Sequence, residues 1–141
     1  MQHYTSIEQS KKLLELGLNP ESADMLYQEY ETVEGDDYVY KHRLQPWYSN
    51  DIDGIPCWSV GALLEVIPKR IKVEGELTST WQLKKEANGY AIYYESISLD
   101  WYSNCIGETL IEAAYNMIVW LLENNYLKEA LDNAKFSKVS I

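Results

Sequence analysis

Two histidines and two cysteines are the residues of this chain best suited to nucleophilic or metal chemistry. His42 and Cys57 could pair as a general base and a nucleophile, but no local motif surrounds either residue. The four side chains, His3, His42, Cys57 and Cys105, lack the paired spacing that zinc sites use. Because no Cys-x-x-Cys motif occurs, we expect reduced, inert thiols, no metal and no cofactor.

Acidic residues offer two further candidates for a site. Asp51-Ile52-Asp53-Gly54 contains residue types of a calcium loop, but this alignment puts Val60 where the bidentate glutamate belongs. Glu108 and Glu112 are one helical turn apart and could share a proton or a cation. Since no Glu-x-x-His arrangement follows, the favoured interpretation is a solvated helix end.

Short catalytic motifs are also missing from the sequence. The chain has no glycine-rich nucleotide loop, no Gly-x-Ser-x-Gly elbow and no His-Glu-x-x-His motif. These observations favour a protein without catalytic activity, with an enzyme that uses an unfamiliar site as an alternative.

Helix signals occur at both ends of the chain. Ser6 is a good N-cap and Gly17 a good terminator, which predicts a first helix between them. Asn19-Pro20 predicts a second helix from Pro20 to about Tyr30. Ser59 and Pro68 bound a third.

The last predicted helix runs from about 104 to 123 and carries a wide apolar stripe. The width of this stripe indicates packing on a sheet, and it also permits a homodimer through the helix. The final residues, 132–141, have a weak pattern and are expected to fray.

Strand signals lie between these helices. Residues 81–94 predict a hairpin with Asn88-Gly89 as a type I′ turn and Leu83 opposite Tyr94. In this register one face is apolar and holds Trp81, Leu83, Tyr90, Ile92 and Tyr94. Short strands are also expected at Tyr38–Tyr40 and at 99–102, and an exposed loop at Gln45–Gly54. The predicted fold is α+β, a small antiparallel sheet packed against the C-terminal helix.

Composition limits the class of protein. The chain has 141 residues, 46% of them hydrophobic, which fits one globular domain spanning 1–141. A net charge of −10 argues against direct nucleic-acid binding and against docking on an anionic membrane. No export signal or membrane-spanning segment is visible, so a cytoplasmic location is expected.

The acidic charge is concentrated in one segment. Between Lys12 and Lys41 the chain has eight acids and no basic residue, interleaved with tyrosines. Such a segment is often only a solvated face. The alternative is a docking site for a basic protein, where charge steers association and aromatic side chains supply contact energy. The residues predicted to bind a partner are Tyr27, Glu29, Tyr30, Glu31, Glu34, Asp36, Asp37, Tyr38, Trp47 and Tyr48.

Three blocks of sequence carry a family resemblance. Residues 7–25 (IEQSKKLLELGLNPESADM), 55–68 (IPCWSVGALLEVIP) and 108–126 (ETLIEAAYNMIVWLLENNY) resemble a family of short, acidic, uncharacterised proteins. These proteins occur in gut Bacteroides-type bacteria and in their phages and mobile elements. The resemblance implies such a setting and brings no activity, cofactor or catalytic residue.

Together these features predict a small phage- or mobile-element-associated protein-interaction module. The alternatives are an acidic nucleic-acid mimic that inhibits a DNA-binding protein, and an enzyme with an unrecognised site.

Overall fold

A computed structural model describes residues 2–95 and 101–127, of which 101–104 are described by their backbone. Within these ranges the architecture is α+β, as predicted. The helices are α1 (Ile7–Glu15), α2 (Val60–Val66) and α3 (Leu110–Glu123). The strands are β1 (Met25–Glu34), β2 (Asp37–Gln45), β3 (Gly54–Cys57), β4 (Lys72–Val73), β5 (Glu76–Leu77), β6 (Gln82–Glu86), β7 (Gly89–Glu95) and β8 (Trp101–Gly107). Antiparallel pairing gives the sheets β2-β1-β3, β4-β5 and β6-β7-β8.

The first and third predicted helices are confirmed, and local capping explains both. The Ser6 side chain accepts a hydrogen bond from Gln9 N at 3.1 Å, and Ser6 N donates to Gln9 Oε1 at 2.9 Å. Gly17 follows α1 with a φ of 102°, a conformation that favours glycine. Ser59 caps α2 by accepting from Ala62 N at 3.1 Å.

The helix predicted from Pro20 to Tyr30 is wrong. Asn19 does cap a helical turn, but that turn is a 3-10 helix of Pro20–Ser22, and the chain then extends as β1. The aromatic and β-branched residues of β1 favour a strand. Gly35, at a φ of 64°, and Asp36 form a two-residue turn into β2, which confirms the predicted strand at Tyr38–Tyr40.

Strand β2 pairs along one edge of β1, and on the other edge only the first four residues of β1, which form its base, pair with a strand. β3 pairs with Met25–Gln28 and begins at Gly54, which shortens the predicted exposed loop to residues 46–53. Beyond this base β1 and β2 continue as a two-stranded ribbon, Glu29–His42, which we call the arm.

The hairpin at 81–94 is confirmed, but its predicted register is wrong. The turn residues are Ala87 and Asn88, and Leu83 lies opposite Ile92 instead of Tyr94. Neither turn residue has a positive φ, so the type I′ geometry does not form. Gly89 belongs to β7 and pairs with Glu86, and a Cβ at this position would collide with the Gly107 carbonyl of β8.

Only part of the predicted apolar face of this hairpin is buried. Ile92 and Tyr94 of β7 are fully buried, whereas Leu83 is 43% exposed. Tyr93, expected on the polar face, is buried and donates through its hydroxyl to Gln82 Oε1 at 3.1 Å. Strand β6 therefore buries less apolar surface than its sequence predicts.

The C-terminal helix begins at Leu110 and not near 104, because 101–107 form β8, which includes the predicted strand at 101–102. Residues 99–100 and the frayed end predicted for 132–141 lie outside the described residues. The broad stripe of α3 packs on the core of this chain, including the half-buried Val119 and Trp120. A homodimer through α3 stays a prediction.

The core lies between α3, α2, α1 and the β6-β7-β8 sheet. Its largest fully buried side chains include Trp58, Tyr94 and Met117. No helix in the described ranges is long and apolar enough to cross a bilayer.

Candidate functional site

The structure separates the candidate base from the candidate nucleophile. Cys57 is fully buried and pairs with Met25 at the base of β1, whereas His42 is exposed and pairs with Glu29 on the arm. The Cys57 thiol donates to the Thr5 carbonyl at 3.4 Å, and burial raises the pKa of this thiol. Cys57 is therefore packed as a small apolar residue.

The acidic pair Glu108 and Glu112 lies at the N-terminus of α3, where its hydrogen bonds are local. Glu112 Oε2 accepts from Glu108 N at 3.0 Å, and Glu112 N donates to Thr109 Oγ1 at 3.3 Å. This arrangement caps α3, as a solvated helix end would. Among the described residues no three His, Cys, Asp or Glu side chains come close enough to hold a metal ion.

The second cysteine, Cys105, packs against the core, and the pH dependence of its reactivity tests whether its thiol is buried. Burial raises the pKa of the Cys105 thiol from its ordinary value of 9.0 to about 11. Because the thiolate is the reactive form, alkylation of Cys105 in the folded protein should be slow near neutral pH and accelerate until about pH 11. The unfolded chain loses this proton first, so the Cys105 contribution to stability falls between pH 9.0 and about 11. Iodoacetamide labelling followed by mass spectrometry measures the rate, and equal neutral-pH rates for folded and denatured chains would contradict this assignment.

Two open grooves flank the Leu18–Asn19 turn, with volumes of about 380 and 400 Å³. Two of the polar side chains that line them have partners within the chain. Asn19 Oδ1 accepts from Glu21 N at 3.0 Å, and Ser22 Oγ accepts from Trp58 Nε1 at 2.9 Å. No histidine, cysteine or lysine is among the lining residues of these two grooves, whereas Glu21 and Glu65 line the second.

The arm sorts its side chains onto two faces. Residues alternate along each strand, and cross-strand partners share a face. We call one side the aromatic face, and it carries Glu29, Glu31, Val33, Tyr38, Tyr40 and His42. The opposite face carries Tyr30, Thr32, Glu34, Asp37, Val39 and Lys41.

The aromatic face exposes large apolar side chains. Val33 is 57% exposed, Tyr38 73% and Tyr40 68%, and all three lie side by side in the register of the arm. Exposed apolar groups that are contiguous, and not scattered, are typical of a surface that binds another molecule.

The two faces of the arm differ in their balance of charge, because the basic residues lie on the opposite face. On the opposite face Lys41 forms an ion pair with Glu34, and Arg43 lies 4.6 Å from the Tyr30 ring centroid. On the aromatic face neither Glu29 nor Glu31 forms an ion pair with any described residue. The two carboxylates therefore project uncompensated negative charge beside the exposed tyrosines.

Several predicted partner-binding residues have a place in the fold that limits their exposure. Tyr27 is half-buried at the base of β1, and its hydroxyl donates to the Thr5 carbonyl at 2.7 Å. Burial raises the pKa of Tyr27, and Cys57 adds to the effect. Tyr27 thus fixes the base of the arm to the body of the protein.

The two loop aromatics lie apart from the arm in sequence and differ in exposure. Tyr48 is half-buried against the core, and burial, with a smaller effect of Glu21, raises its pKa. Trp47 is 42% exposed.

The predicted acids Asp36 and Asp37 are exposed at the turn of the arm.

The fold thus brings together Glu29, Glu31 and Tyr38 from the predicted set and places Tyr30 and Glu34 on the other side. Sequence reasoning missed Val33, Tyr40 and His42 as companions. The signal for them was Gly35-Asp36, a hairpin dipeptide between two alternating segments.

Comparison of the chain with protein-family models, curated proteins and solved structures finds no match.

Proposed function

We propose that this protein is a small interaction module that binds a basic protein segment on the aromatic face of its arm. The observation that carries the proposal is the grouping of Val33, Tyr38 and Tyr40, each more than half exposed, beside the unpaired carboxylates of Glu29 and Glu31.

Each part of this face has a role in binding. Tyrosine supplies large contact area at a small cost in side-chain entropy. Glu29 and Glu31 attract a basic segment and raise its association rate. The Tyr27 hydroxyl ties the base of the arm to the Thr5 carbonyl of the body, and Gln45 Nε2 donates to Gln28 Oε1 at 2.9 Å, which joins β2 to β1 at that base.

The charge component is tested with the variant Glu29→Gln/Glu31→Gln. Its matched control is Glu8→Gln/Glu15→Gln, which removes the same charge from exposed positions of α1. The probe is a short labelled peptide of alternating arginine and valine, followed by fluorescence anisotropy. We expect the arm variant to bind about threefold to tenfold more weakly, mainly through slower association, and the control to bind like wild type.

The outcomes separate this proposal from acidic mimicry. Equal weakening by both variants would mean that total charge alone attracts the peptide, which is the behaviour of a nucleic-acid mimic. Unchanged binding by the arm variant, or no binding by wild type, would refute the proposal. A pull-down from host lysate with the same variants then identifies the natural partner. The phage or mobile-element setting and the cytoplasmic location stay predictions from the sequence.

A further inference from the structure

Strand β2 is an edge strand, since the sheet order is β2-β1-β3. Its outer edge, Asp37–Gln45, pairs with no strand among the described residues. An open edge of this length is a template for pairing with another strand.

The backbone groups that point outward from this edge can be assigned. Glu29 N donates to the Asp53 carbonyl at 3.4 Å, so Glu29 directs its backbone groups away from β2. Directions alternate along an antiparallel ladder, and partners in a pair that is not hydrogen-bonded both point outward. The residues whose N–H and C=O groups face the open edge are therefore Tyr38, Tyr40 and His42.

This edge is complementary to itself. If a second copy pairs antiparallel with Tyr40 opposite its own equivalent, Asp37 lies opposite Arg43 and Tyr38 opposite His42. The outward-facing residues then meet each other, as a hydrogen-bonded ladder requires. Shifting the register so that Lys41 meets its own equivalent would place like charges in contact, which disfavours that pairing.

We propose that two copies of this chain join edge to edge through β2 about a two-fold axis, with Tyr40 at the axis. Three strands from each copy form one continuous sheet. The opposing charges of Asp37 and Arg43 occur twice across the axis and favour this register. With Val39 at the axis Asp37 would instead face Lys41, which already forms an ion pair with Glu34. The partner's Gly35-Asp36 turn ends beside Leu44 and Gln45, so the arm of one copy stops where the body of the other begins.

This inference goes beyond the proposed function and does not rest on it. Edge pairing leaves the faces of the sheet open. The aromatic faces of the two copies become one surface, with the tyrosines at its centre and Glu29 and Glu31 on both flanks. The apolar stripe of α3 plays no part in this dimer, which forms through β2.

Cysteine cross-linking tests the register directly. In a hydrogen-bonded pair the Cα atoms are about 5.5 Å apart, which suits a disulfide. We therefore expect Tyr40→Cys to form a covalent dimer on mild oxidation. The matched control is Tyr38→Cys on the same face, whose equivalents would lie about 13 Å apart. Tyr38→Cys mixed with His42→Cys should cross-link. Equal cross-linking of Tyr38→Cys and Tyr40→Cys alone, or none by Tyr40→Cys, would overturn the proposal.

A charge swap tests it without new cysteines. Light scattering over a concentration series should show a dimer for wild type and at least tenfold weaker dimerisation for Asp37→Arg. Asp37→Arg/Arg43→Asp should restore the dimer, because the exchanged charges again lie opposite each other. Circular dichroism checks that each variant is folded. A wild-type monomer at every concentration, or a dimer indifferent to these changes, would overturn it.

Discussion

Replacing Trp58 by alanine is expected to lower the free energy of unfolding by about 3–5 kcal/mol. Trp58 is fully buried in the core, and its indole N–H donates to Ser22 Oγ at 2.9 Å. Its backbone also ties the N-terminal segment to the body, because Thr5 N donates to the Trp58 carbonyl at 2.9 Å. Alanine keeps that backbone contact and leaves a cavity. Since a domain of this kind is stable by only about 5–15 kcal/mol, a large part of its stability would be lost.

Two control variants, measured by chemical denaturation, separate the loss of core packing from the loss of the hydrogen bond to Ser22. Trp58→Phe fills most of the cavity and loses the hydrogen bond to Ser22, so a cost of about 1–2 kcal/mol is expected. Trp47→Ala removes the same residue type from a position that is 42% exposed and should change stability by less than about 0.5 kcal/mol. Similar losses for Trp47→Ala and Trp58→Ala would contradict the assignment of Trp58 to the core.

The elements predictable from the sequence are those with local signals. Ser6 and Ser59 satisfy backbone donors a few residues away, so their helices are visible without tertiary information. Asn19-Pro20 is also a local signal, and it does start a helical turn. What ends that turn is the extended chain of β1, which is stabilised by pairing with β2 and β3. Pairing between distant segments overrides the local preference.

Hairpin register required information that one strand pair does not contain. Asn88-Gly89 predicts a turn when β6 and β7 are considered alone. The third strand decides the outcome, because β8 brings the Gly107 carbonyl against Gly89, where any Cβ would collide. Gly89 is thus needed for a close approach to β8 and is not available as a turn residue.

The candidate site shows the same division between local and distant information. Composition identifies the acidic, tyrosine-rich segment, yet it does not indicate which residues share a face. The Gly35-Asp36 turn fixes the pairing of Glu34 with Asp37, and alternation then sorts every other residue. Glu31 and Tyr40 fall on one side, whereas Tyr30 and Lys41 fall on the other.

Replacing Tyr38 and Tyr40 together by threonine is expected to weaken binding of the arginine–valine peptide by roughly thirtyfold, or about 2 kcal/mol. The two side chains are 73% and 68% exposed, so their removal takes away contact area without opening a cavity. Threonine is used because it favours strands and preserves the arm. Fluorescence anisotropy gives the affinity, and thermal unfolding should show stability close to that of wild type.

Tyr30→Thr is the matched control, since it removes the same group from the opposite face of the same arm. Tyr30 already contacts Arg43, at 4.6 Å from ring centroid to guanidinium carbon, so its ring is engaged within the chain. Binding by this variant should stay within about twofold of wild type if contact energy comes from the aromatic face. Equal losses from the two faces would mean that the peptide follows charge and tyrosine content without regard to register, and the aromatic face would lose its assignment as the binding surface.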